Sequence, residues 1–81
     1  SIDFDPENAG TVIDCCLNLL REEKIPDYVK FYSLELLVKI AHEIPEFKNE
    51  FSTVIEEVIP TGKTYMIKVR AKKLLWELRD T

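Results

Sequence analysis

Displaced by 38 positions, the chain falls on itself in phase. Ile13 meets Phe51, Cys16 meets Val54, Leu17 meets Ile55 and Leu20 meets Val58. Further along, Val29 meets Ile67, Lys30 meets Lys68, Ser33 meets Ala71, Leu36 meets Leu74, Leu37 meets Leu75 and Ile40 meets Leu78. Few of these pairs are identities. The apolar positions nevertheless coincide through two successive segments, each with the i, i+3, i+4, i+7 spacing of an amphipathic helix. A chain so constrained builds the same pair of helices twice.

Proline marks the joints. In "DFDPEN" Asp5 stands where an N-cap belongs and Pro6 at the first helical position. Ile13, Cys16, Leu17 and Leu20 then share one helical face. "EEKIPD" breaks this helix near Pro26. The second helix carries Val29, Ser33, Leu36, Leu37 and Ile40 on its core face and ends at "EIPE". The third is expected from about Glu46, with Phe47, Phe51, Val54, Ile55 and Val58 inward. Pro60 and Gly62 stop it. The fourth carries Ile67, Ala71, Leu74, Leu75 and Leu78. Joints of a few residues force each helix to turn back on its predecessor. The expected fold is all-α: two stacked antiparallel hairpins, about 6–44 and 46–80, in one helical-repeat domain. The alternative is a plain four-helix bundle, and agreement in phase across a whole hairpin favours the stack.

A period near 38 residues resembles the HEAT or armadillo-like class of helical repeats. The segments "VKFYSLELLVKIA" and "IKVRAKKLLWEL" bring a closer resemblance, to the C-terminal hairpins of a group of small uncharacterised bacterial HEAT-like proteins. Those carry a K-x-Y-S helix, an acidic helix and a closing R-A-K-x-L-L helix. The matching residues are Lys30, Tyr32 and Ser33, then Arg70, Ala71, Lys72, Leu74 and Leu75, within residues 26–79. The resemblance implies a fragment of a right-handed α–α superhelix and no catalytic residues. Some members are labelled adenylosuccinate lyase, a label that 81 residues without a serine-rich catalytic loop do not support. Two copies are fewer than the three such stacks usually need. That points to missing neighbours, in a longer parent chain or in a partner molecule.

Charge is unevenly spread over these helices. Residues 1–60 hold five basic and thirteen acidic side chains, net −8, whereas residues 61–81 hold six basic and two acidic, net +4. The adjacent Cys15 and Cys16 point about 100° apart on a helix and cannot easily bridge. They read as reduced thiols, one facing the core, of a cytoplasmic protein. No apolar run is long enough to span a membrane, and no signal-peptide pattern opens the chain.

Little in the chain offers catalytic or ligand chemistry. His42, the single histidine, has Glu43 and Glu46 near it. One imidazole with scattered carboxylates is poor material for zinc, which takes three or four ligands, and a solvated His near a helix end is expected. Gly10 and Gly62 stand alone, so there is no phosphate-binding loop. No enzyme activity, cofactor, metal or small-molecule substrate is expected.

The sequence places its functional candidates on the last helix. Under the 38-residue displacement Trp76 falls on Val38 and Val69 on Phe31. The second and fourth helices thus carry a second apolar stripe: Phe31, Leu34 and Val38, then Val69 and Trp76. In a stack the first copy's stripe rests on the second copy. The second copy's stripe folds onto the second helix or forms an open end that receives another subunit. The expected function is a non-catalytic scaffold working by protein–protein contact or self-association. Its anchors are Trp76, Val69 and Phe31, with Arg70, Lys72 and Lys73 at the rim. The alternative is nucleic-acid binding through the basic helix, where Lys68, Lys72 and Arg79 share a flank. Pairing of that flank with Glu35, Glu50, Glu56 or Glu57 is a further reading.

Overall fold

In the computed structural model, which describes residues 6–80, all regular structure is helical. Helix α1 spans Pro6–Arg21, α2 Asp27–Glu43, α3 Lys48–Val58 and α4 Tyr65–Asp80. Pro6 opens α1, where the fixed φ of the ring suits the first turn and no N–H is wasted. The capping role expected of Asp5 lies outside the described residues.

The breaks fall at the prolines. Pro45 starts a single 3-10 turn, Pro45–Phe47, so the α-helical part of the third element begins at Lys48 rather than at Glu46. A second 3-10 turn, Ile59–Thr61, follows α3. Gly62 does not terminate it through left-handed backbone, because its φ of −62° and ψ of 134° are open to any residue. The glycine supplies space instead. A Cβ on Gly62 would lie 2.5 Å from Ile67 Cγ2, a branch methyl of a buried side chain.

α1 packs against α2 and α3 against α4, each pair joined by a short connection, and α2 also packs against both helices of the second pair. The protein is therefore two antiparallel hairpins stacked on each other. Its interior is one continuous apolar cluster that includes Ile13, Cys16 and Leu20 of α1 and Leu34, Leu37 and Ile40 of α2. Phe51 and Ile55 of α3 and Ile67, Ala71 and Leu78 of α4 complete it. The expected core faces are inward, with Leu17, Val29, Leu36, Phe47, Val54 and Leu74 half-buried at their edges. Ser33 is buried at a core position because its hydroxyl donates to the Val29 carbonyl at 3.1 Å, one turn back. Cys16 is buried and Cys15 exposed, and both are free thiols.

Candidate functional site

The placement of the functional candidates follows from how α2 meets α4. Asp27, the first residue of α2, sits beside Lys63 and Thr64, just ahead of α4. One turn further along α2, the Arg70 guanidinium lies 4.9 Å from the centre of the Phe31 ring. Further still, Val38 and His42 share a groove with Leu74 and Glu77. The helices run parallel, and residues close to 38 positions apart stand side by side. Across the other side of the stack, Leu17 and Leu20 of α1 share a groove with Val54 and Val58 of α3 in the same register.

This register gives the outer residues of α4 counterparts on α2 with a different fate. Phe31, Leu34, Val38 and Ala41 are withdrawn from solvent: Leu34 and Ala41 completely, Val38 nearly so and Phe31 by half, with Phe31 and Val38 lining the groove shared with α4. Their equivalents on α4 are Val69, Lys72, Trp76 and Arg79. All four are exposed, Val69 at 45% and Trp76 at 68%. Lys30 is 4% exposed, whereas its counterpart Lys68 is open. Lys30 lines the groove between α1 and α3, which Glu23 and Glu57 also line. The outer side of α4 is thus exposed where the matching side of α2 is buried.

Of the sequence-derived anchors, Trp76 and Val69 fall on this outer stripe with Lys72 between them. The 100° step per residue sets Arg70 and Lys73 on the neighbouring flank, toward α2. There they line an open groove with Phe31, Glu35 and His42. Phe31 is separate from Trp76, lying half-buried in the α2–α4 seam under Arg70. The six residues therefore divide between an outer stripe and an adjoining seam. One of the acidic partners named for the basic flank is in place: Arg79 forms an ion pair with Glu56 of α3.

Sequence reasoning passed over several exposed aromatic and apolar side chains. Tyr65 precedes Val69 by one turn and extends the outer stripe to the start of α4. Tyr28, Tyr32 and Met66 are exposed around a groove of about 380 Å³ floored by Phe31 and Ile67 and edged by Arg70. The signal was available, since Tyr65, Val69, Lys72 and Trp76 stand at i, i+4, i+7 and i+11. Only the start of the helix at Tyr65 was needed to use it.

Among the described residues no group of three or more His, Cys, Asp or Glu side chains is placed to hold a metal ion. His42 is exposed in the last turn of α2. Burial, and to a lesser degree the neighbouring Cys15, push the Cys16 thiol above its ordinary 9.0, the direction of an inert core thiol. Among the described residues no helix is long and apolar enough to cross a membrane. Comparison with protein-family models, curated proteins and solved structures finds no match for the chain.

Proposed function

We propose that this protein is a non-catalytic helical-repeat scaffold that works by protein–protein contact through the outer face of α4. One observation carries the reading. Trp76 and Val69 lie exposed at positions whose counterparts, Val38 and Phe31, are buried and half-buried. A large aromatic beside a β-branched residue, framed by cations, has the composition of an interface centre and rim. The repeat relationship is HEAT- or armadillo-like, with hairpins 6–44 and 46–80 as successive units of a right-handed superhelix. The open end is where a further repeat of a longer chain, or a partner, continues the stack. The two free thiols fit a reducing, cytoplasmic location.

Nucleic-acid binding is the second reading, favoured by the exposed Lys68, Arg70, Lys72 and Lys73 on one helix. Weighing against it are the total charge of −4, the pairing of Arg79 with Glu56, and Glu77 interleaved among the cations.

Photo-crosslinking in cells of the source organism tests the choice. A photoreactive phenylalanine analogue replaces Tyr65 on the open face, and in a control Asn18 on α1. Protein adducts at position 65 and not at 18, lost when Val69→Ser and Trp76→Ala are added, are the expected result. Nucleic-acid adducts at position 65 would favour the second reading. Equal adducts at both positions would remove the assignment of the face.

A further inference from the structure

We infer that the outer face of α4 is shaped and charged to receive an acidic amphipathic helix from a different protein chain, laid along α4. This rests on the reading of that face as the contact surface, and it specifies the occupant. The stripe Tyr65–Val69–Lys72–Trp76 covers three turns, about 16 Å at 1.5 Å per residue. The equivalent face of α2 is covered by a helix running parallel to it. A ridge with the same spacing therefore presents itself to another helix.

The charge of the stripe selects the occupant. Lys72 stands where α2 has Leu34, a side chain with no exposed surface. A helix that covers Val69 and Trp76 also covers Lys72, which lies between them. A buried ammonium without a carboxylate opposite it is strongly unfavourable. Lys68 stands on the same side, while the cation at the far end, Arg79, is already paired with Glu56. The occupant needs apolar residues against Val69 and Trp76 and acidic ones against Lys72 and Lys68.

A second copy of this chain does not meet that requirement. Added head to tail in the same register, it would offer Tyr32, Glu35, Leu36 and Lys39, which stand 38 positions before Arg70, Lys73, Leu74 and Glu77 of the α2–α4 groove. Its one carboxylate, Glu35, is offset by Lys39 one turn on, so that face carries no net negative charge. Paired about a two-fold axis, α4 against α4 would set like charges together, which costs both affinity and on-rate.

The test is a selection of helical peptides from a display library with randomised apolar and charged positions. The library is panned on the wild-type protein and depleted on a Val69→Ser/Trp76→Ala variant. The recovered helices are expected to carry Asp or Glu between two apolar positions. Lys72→Glu is expected to weaken them by about tenfold or more, and helices with Lys in place of the carboxylate to regain binding to that variant. Helices that need Val69 and Trp76 but ignore Lys72→Glu would overturn the acidic occupant while leaving the contact face in place. Recovery that does not depend on Val69 and Trp76 would overturn both. Sedimentation of the free protein is the companion measurement: a monomer is expected, and an oligomer dispersed by Trp76→Ala would identify a second copy as the occupant and overturn the inference.

Discussion

Asp27 and Thr64 fasten the two hairpins together at one end. Asp27 Oδ2 accepts from the Thr64 backbone N–H at 2.8 Å and from its hydroxyl at 3.0 Å. It also accepts from the Lys63 N–H at 3.0 Å. The Thr64 hydroxyl oxygen in turn accepts from the Ile67 N–H at 3.3 Å, as an N-cap does. The first residue of α2 thereby satisfies donors at the start of α4, and the Lys63 ammonium closes the contact on the Glu23 carbonyl at 2.8 Å. Asp27→Ala is expected to cost about 1–2 kcal/mol, the range of a lost cap, measured by urea unfolding. Asp27→Asn, which keeps an acceptor, should cost less.

Glycine-to-alanine substitution is expected to act in opposite directions at the two glycines. Gly10 lies inside α1, and a Cβ there meets nothing within 4 Å. Gly10→Ala should stabilise the protein by about 0.5–1 kcal/mol through helix propensity. Gly62→Ala forces a methyl group against buried Ile67 and should destabilise by about 1–3 kcal/mol. Thermal or urea unfolding of the two variants reads the signs directly.

Core and outer-face aromatics should separate stability from binding. Phe51 is fully buried and its ring stacks on that of Phe47 at 5.1 Å. Phe51→Ala is expected to cost about 3–5 kcal/mol, enough to unfold a domain of this size. Trp76→Ala should change stability by no more than about 0.5 kcal/mol, because that side chain is mostly in water. A large stability loss at Trp76 would mean that it is part of the fold.

The thiols give a pH dependence with a defined sign. The Cys16 thiol is raised above its ordinary 9.0 by burial first and by Cys15 second. The unfolded chain therefore ionises before the folded one. The stability that this difference contributes is fully present below about pH 9 and is lost as pH rises through the folded value. Unfolding free energies of wild type and Cys16→Ala, compared between pH 8 and pH 10, should show a steeper alkaline loss in the wild type. A thiol reagent at neutral pH should modify Cys15 in the native protein and reach Cys16 only on unfolding.

Helix number, helix phase and most of the core were legible because they are written locally, in apolar spacing and in Pro26, Pro45 and Pro60. The exposed Trp76 and Val69 were legible too, since they stand off the apolar face that Ile67, Ala71, Leu75 and Leu78 turn inward. Lys30 was not. Its sequence counterpart Lys68 is exposed, and the difference comes from α1 and α3 closing over one lysine with no equivalent closing over the other. Asp27 reads locally as a residue of the first turn of α2, and nothing nearby in sequence announces donors at positions 63 and 64. Gly62 reads as a helix stop, but its role depends on Ile67 packing back over the turn.

The openness and charge of the α4 face can be read from Trp76, because it is the only tryptophan in the chain. Its fluorescence should be measured in the free protein at low ionic strength, with iodide and then caesium as quencher. Emission close to that of indole in water is expected, with efficient iodide quenching and weaker caesium quenching, because Lys68 and Lys72 gather anions around the ring. Blue-shifted emission that resists both ions would show that the face is already covered, and equal quenching by the two would show that it carries no cationic frame.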